Sequence, residues 1–223
     1  MNKMTNYTEL FEKRSKCLLF NATENVSDNY GWIGGNPPDY FDDKIALINT
    51  DNIRYSFLMT VKNPLNIENA ISIFIPQEFS HRIENNKYPD CSIKIFEHKI
   101  TDESDNPFFR NENEIEKKHY IQLIGEIDEE KIDKQSSDEF DEDEDEAFTY
   151  LIKFGGKPVL IQEEQFYYEQ LHTDGYTFLF QIDENGYPDG LMKEYIFGYG
   201  ALYVYGKLSD SSINNIIAGY WQN

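Results

Sequence analysis

The chain is short of cysteine, histidine, tryptophan and basic residues, and each shortage removes a class of function. Two cysteines in 223 residues, Cys17 and Cys91, build no disulfide framework and stand in no metal-ligand spacing. The four histidines, His81, His98, His119 and His172, form no HxH, HExxH or Cys/His cluster, so no metal and no cofactor are expected. No Gly-x-Ser-x-Gly elbow presents a serine nucleophile, and the carboxylates are too many to single out an acid–base pair. No apolar run approaches the roughly 20 residues that span a bilayer, and the N-terminus is read as lacking a signal-peptide core. The expectation is a cytoplasmic monomer with no membrane role. Basic residues number only 20 against 41 acidic ones, a net charge of −21. Such a surface repels nucleic acid, whose affinity comes from neutralised phosphates. It attracts a basic protein and speeds the encounter.

The charge is unevenly placed. Residues 102–150 hold 19 acids and 5 bases, and the other 174 positions contribute only −7. Eight of the nine residues from Asp138 to Glu146 are acidic. A block of like charge self-repels and buries no apolar area, so about 134–147 reads as a mobile insertion. It lacks the glycine and the ligand spacing of a calcium loop.

Aromatic residues are plentiful, with 16 Tyr and 16 Phe, and their arrangement repeats. Ile33-Gly34-Gly35-Asn36-Pro37 recurs as Phe154-Gly155-Gly156-Lys157-Pro158, 121 residues on. Tyr55-Ser56-Phe57-Leu58-Met59-Thr60-Val61 recurs at the same offset as Tyr176-Thr177-Phe178-Leu179-Phe180-Gln181-Ile182. Ile71–Ile75 answers Ala201–Tyr205 at an offset of 130, which makes the second hairpin loop nine residues longer. Repeated units commonly pack on each other because neither buries its apolar face alone. The chain therefore reads as one pseudo-symmetric domain over 1–223, with repeat one at about 30–100 and repeat two at about 148–223.

Segments 54–61, 69–76, 91–98, 119–127, 148–154, 158–162, 175–183, 199–206 and 213–221 read as strands bounded by turn residues. Asn6 and Glu9 have capping-box spacing, and residues 6–18 read as an amphipathic N-terminal helix. A second helix is read over Glu163–Leu171. The fold class is α+β, mostly β: internally duplicated antiparallel units with pseudo-twofold symmetry and an N-terminal helix.

Gly34, Gly35, Gly155 and Gly156 supply backbone freedom, with at least one positive φ expected in each pair, and Pro37 and Pro158 fix the exit of each turn. A strand-like run follows each, so these are structural turns and not phosphate cradles. Strict alternation along 176–183 puts Phe178, Phe180 and Ile182 on one face. It puts Thr177, Leu179, Gln181 and Asp183 on the other. Gln181 and Asp183 are candidates for a polar cleft, or else tie down the neighbouring turn.

Three motifs carry a resemblance: Gly155-Gly156-Lys157-Pro158-Val159-Leu160-Ile161-Gln162, Phe178-Leu179-Phe180-Gln181-Ile182-Asp183, and Tyr199-Gly200-Ala201-Leu202-Tyr203-Val204-Tyr205. Together they resemble the YwqG-like family of bacterial proteins over most of 150–223. In the first copy the Gly-Gly-x-Pro turn fits, but a following Trp-Pro element is absent and Thr60 stands where Gln is common. The resemblance implies a mostly β, duplicated fold without a catalytic residue set. It also implies immunity or other protein-binding roles, because some members are encoded near toxin systems. A more distant likeness reaches the programmed-cell-death-2 domain of chaperones that shield a basic ribosomal protein. Three functions follow as expectations: an immunity protein neutralising a toxin, an acidic escort of a basic protein, or a small-molecule binder or enzyme using a cleft between the repeats.

Overall fold

A computed structural model describes residues 7–25, 29–109, 117–135, 147–193, 195–209 and 212–223. The acidic run Asp138–Glu146, and with it nearly all of the 134–147 insertion, lies outside the described residues. One antiparallel sheet of ten strands organises the rest: β1 (Lys16–Thr23), β2 (Asn29–Ile33), β3 (Tyr55–Asn63), β4 (Asn66–Pro76), β5 (Lys94–Lys99), β6 (His119–Asp128), β7 (Ile152–Gly155), β8 (Thr177–Asp183), β9 (Ala201–Ser209) and β10 (Ser212–Gln222). The spatial order is β10-β9-β8-β7-β1-β6-β2-β3-β4-β5. The two outer strands approach each other, so the sheet nearly closes. A short bridge at Lys87 and Tyr220 joins the ends, reinforced by Tyr88 N–H to the Gly219 carbonyl (2.6 Å) and Trp221 N–H to the Asn86 carbonyl (2.9 Å). Near-closure leaves little unpaired edge.

Pair for pair, the β2–β3 ladder recurs in β7–β8. Gly31 faces Val61, Trp32 faces Thr60 and Ile33 faces Met59; 121 residues on, Ile152 faces Ile182, Lys153 faces Gln181 and Phe154 faces Phe180. The next ladders correct the spacing read from sequence. Val61 faces Ile71, whereas Ile182 faces Leu202, so that offset is 131 and the second loop is ten residues longer.

Both ladders carry a bulge at the same place, between Phe57 and Met59 and between Phe178 and Phe180. A bulge inserts one residue and turns the strand, which overturns the simple alternation expected for 176–183. Leu179, Phe180 and Ile182 join the central core, while Phe178 goes to the opposite face with Tyr203 and Tyr205. Leu58, Met59 and Val61 likewise face the core, and Phe57 faces outward with Phe41 and Phe74.

The central core fills the inside of the curved sheet with side chains from nine of the ten strands, among them Phe20, Ile33, Ile71, Ile121, Phe154, Leu202 and Ile213. Each fully buried Leu or Phe contributes roughly 1.5–3 kcal/mol. Leu10 and Phe11 enter this core where β7 ends, against Phe154 and Gly155, and Tyr187, Leu191, Ile196 and Phe197 enter it from the long loop after β8. Arg14 fastens the first of these groups, donating to the Gly156 carbonyl, to Thr177 Oγ1 (2.6 Å) and to the Phe178 carbonyl (3.1 Å).

Several expected elements differ. The helix read over 6–18 is a single π-helical turn at Thr8–Glu12. Arg14, at φ 53, ends it, and residues from Lys16 onward form β1. Cys17, Leu18, Leu19 and Phe20 are buried consecutively, the mark of a strand covered on both faces. Glu9 accepts from Lys13 Nζ and Ser15 Oγ, while Asn6, the other half of the capping box, lies outside the described residues. Segment 158–162 is not a strand, because it bonds to side chains in place of a ladder. Val159 N–H donates to Gln181 Oε1, Ile161 N–H to Tyr203 Oη, and Gln162 N–H to Gln222 Oε1. The helix read over Glu163–Leu171 is divided at Tyr168 into a 3-10 turn, Gln165–Tyr167, and a short helix, Glu169–Thr173.

Candidate functional site

The two Gly-Gly turns are built alike around an internal anion. All four glycines have positive φ: 76 and 70 at Gly34 and Gly35, 77 and 64 at Gly155 and Gly156. The amide that follows each pair donates to a carboxylate, Asn36 N–H to Glu103 Oε1 (2.8 Å) and Lys157 N–H to Glu129 Oε1 (3.0 Å). A lysine neutralises each carboxylate, Lys118 on Glu103 (2.5 Å) and Lys153 on Glu129 (2.6 Å). A Cβ on Gly35 would meet Glu103 Oε1, and one on Gly156 would meet Glu129 Oε2. The protein's own side chains thus hold the place a phosphate would take.

The outer face of the first half carries an open cavity. Across the strands runs the row Tyr120, Trp32, Thr60, Ser72 and Phe96. Beside it lies a space of about 290 Å³ lined by Tyr30, Trp32, Thr60, Lys62, Ile100, Asp102 and neighbours including Glu103 and Lys118. Lys118 sits over the Trp32 ring (4.8 Å) and the Tyr120 ring (4.9 Å). The Trp32 indole donates to the Asn36 carbonyl (2.9 Å) and is so fixed in place.

Behind Thr60 a buried polar chain leads inward. Ser72 Oγ lies 2.9 Å from Thr60 Oγ1 and 2.7 Å from His98 Nε2, and His98 Nδ1 lies 2.7 Å from the Lys99 carbonyl. A carbonyl only accepts, so Nδ1 carries the proton and Nε2 is left as an acceptor. The Ser72 hydroxyl therefore lies between two acceptors, His98 Nε2 and Thr60 Oγ1, and shares its one proton between them. Burial holds the His98 imidazole below its ordinary pKa, consistent with the neutral ring. Ser72 is fully buried, so this serine–histidine contact is unreachable by a substrate and orients Thr60.

In the second half the matching row is Leu19, Lys153, Gln181, Tyr203 and Tyr220, and its members close the space. Gln181 is fully buried with Oε1 on the Val159 amide (2.8 Å), and Tyr203 donates to the Val159 carbonyl (2.8 Å). Asp183 accepts from the Asn185 amide (2.9 Å) and caps the turn that follows. Gln181 and Asp183 tie down neighbouring segments, and neither lines the first-half cavity.

The long loop 184–200 is organised by Glu184. This fully buried carboxylate accepts from the amides of Phe197 (2.9 Å), Tyr199 (2.9 Å) and Gly200 (3.3 Å). Burial pushes it up to about 7, against the pull of those donors. Tyr199, held by that bond, has φ 66 and is 66% exposed. Its ring stacks on Tyr195 (4.1 Å between centroids), which stacks on Tyr187 (5.9 Å). A bulky residue at positive φ is uncommon and strained.

Sequence reasoning gave Thr60 and His98 no site role and did not single out Ser72, Lys62, Asp102 or Glu184. Their partners are distant in the chain and share no local motif; Lys62 at a strand end among aromatic residues was the nearest thing to a signal. Burial raises both thiols, Cys17 and Cys91, to about 12, so neither is a ready nucleophile. Among the described residues no group of three or more His, Cys, Asp or Glu side chains is placed to hold a metal ion, and no helix is long and apolar enough to cross a membrane. In comparison with known proteins, no family model matches this chain and no curated protein matches its sequence.

Proposed function

We propose that this is a non-enzymatic protein that binds a basic protein partner, as an immunity protein binds its toxin. The observation that carries the reading is the stacked, exposed and strained Tyr199, presented by a protein of net charge −21. Tyrosine supplies large contact area with little rotamer entropy, and stacking on Tyr195 removes much of what remains to be ordered on binding. Its face also attracts Arg and Lys side chains. The acids of 102–150 steer the encounter, and the tyrosines hold the complex. An escort of a basic cellular protein is the same binding in another setting.

We also infer that the chain is a duplicated unit with pseudo-twofold symmetry. The repeated ladders, the paired bulges and the two carboxylate-filled glycine turns support this. The YwqG-like assignment rests on the quoted motifs, and the immunity role follows from it.

The test takes the basic partner captured from the host by the full chain and follows its binding by stopped flow. Deleting 138–146 is expected to slow association and flatten its salt dependence. Tyr199→Ala is expected to speed dissociation by about tenfold, near 1.4 kcal/mol, with little change in association. Unchanged dissociation in Tyr199→Ala removes the proposed contact, and unchanged rates in the deletion leave the acids with solubility alone.

A further inference from the structure

The first-half cavity has two charged side chains of opposite sign, Lys62 and Asp102, that pair with no charge among the described residues. Lys62 donates to the Asn29 carbonyl (2.6 Å) and lies 5.9 Å from the Tyr30 ring centre, and among the described residues it forms no ion pair. Asp102 uses its backbone carbonyl, accepting from Asp39 N–H (2.8 Å), and among the described residues its carboxylate takes no hydrogen bond and no ion pair. The other two charges of the lining, Lys118 and Glu103, neutralise each other. Tyr30, Trp32 and Ile100 share the lining, and Thr60 completes it, held from behind by Ser72.

We propose that this cavity binds a small apolar α-amino acid as its zwitterion. The ligand carboxylate pairs with Lys62, the ligand ammonium with Asp102 and Thr60, and the side chain packs on Tyr30, Trp32 and Ile100. A simple anion would satisfy Lys62 but leave Asp102 facing it, and a simple cation would do the reverse. Lys62 is half-buried and Asp102 exposed, and a lining that presents one charge of each sign favours a ligand carrying both. At about 290 Å³ the space lies at the small end of ligand pockets, which suits a single amino acid. This inference stands apart from the protein-binding reading, because the cavity and the Tyr199 loop share no residue.

Isothermal titration of the full chain with L-leucine, L-methionine and L-phenylalanine tests it, alongside 3-phenylpropionate (no ammonium) and 2-phenylethylamine (no carboxylate). At least one amino acid is expected to bind saturably, and each truncated analogue about tenfold more weakly than phenylalanine, the cost of one charge-assisted bond. Lys62→Gln is expected to bring phenylalanine and phenylethylamine to equal affinity, and Asp102→Asn to equalise phenylalanine and phenylpropionate. Thermal melting of each variant at the wild-type temperature shows that the fold is kept. No saturable heat with any of the three amino acids up to about 10 mM overturns the proposal. Binding whose discrimination survives both substitutions overturns it equally.

Discussion

At the scale of single residues, the fully buried Lys153–Glu129 pair and the lone buried Glu184 show how differently a charge is kept inside. Lys153 donates to Glu129 and to the Lys157 carbonyl, and Glu129 also holds the Lys157 amide. Lys153→Met strands a buried carboxylate, and the expected loss is about 3–5 kcal/mol in urea unfolding. Adding Glu129→Gln removes that charge while keeping an acceptor for the amide, so the double variant is expected to be more stable than Lys153→Met alone. A double variant no better than the single one would show that hydrogen bonding, and not charge, dominates the pair. Among the described residues no cation pairs with Glu184, which is held by amides. Its folded pKa of about 7 lies above the ordinary 4.5, so the folded state binds the extra proton between those values. Its contribution to stability is therefore largest below pH 4.5 and falls as pH rises to about 7, by a total on the order of 1–3 kcal/mol. Measured as wild type minus Glu184→Gln, so that the other carboxylates cancel, the difference is expected to decline across that window and flatten above it. A difference independent of pH would place the carboxyl at its ordinary value.

At the scale of elements, the glycine turns invite a comparison within one molecule. Gly156 and Gly175 both have positive φ, 64 and 76, but a Cβ on Gly156 lands 2.0 Å from Glu129 Oε2, whereas one on Gly175 meets nothing within 4 Å. Gly175→Ala is expected to cost about 1 kcal/mol for the backbone alone. Gly156→Ala adds the displaced carboxylate and is expected to cost about 3 kcal/mol or more, read from the unfolding midpoint. Equal costs would mean that the carboxylate shifts freely. The turns were legible in the sequence because a glycine pair before a proline has few uses. The aromatic strands β3, β4, β8 and β9 were legible for a similar reason, their composition and flanking turns being local. The bulges were not, since the extra residue at Leu58 or Leu179 is defined only by the neighbouring strand. Nor was β1, whose apolar residues follow a helical-looking turn, because only burial on two faces distinguishes it. The first-half cavity stayed hidden for a related reason: Lys62, Asp102 and Trp32 meet through pairings among β2, β3 and the segment after β5, and no linear spacing records that.

At the scale of the whole molecule, the sheet order has β1 lying between β6 and β7, so the first strand of the described residues is hydrogen-bonded to β7 of the C-terminal part. The ladder that continues through β7, β8, β9 and β10 is thus completed by a strand more than a hundred residues earlier. Seen as an engineering matter, the protein is a ready-made split pair. Produced as separate chains, 1–135 and 147–223, neither piece has all its strand neighbours: the second lacks the partner of β7, and the first lacks the β10 contact beside β5. Each alone is expected to expose a sticky edge. Mixed, they are expected to form a stable one-to-one complex with the far-ultraviolet spectrum of the intact protein, as read by size-exclusion chromatography and circular dichroism. A cooperatively folded 147–223 fragment in isolation would contradict this. Fused to two other proteins, the pieces would report when those proteins meet, and the reporting joint would be the seam where β1 meets β7.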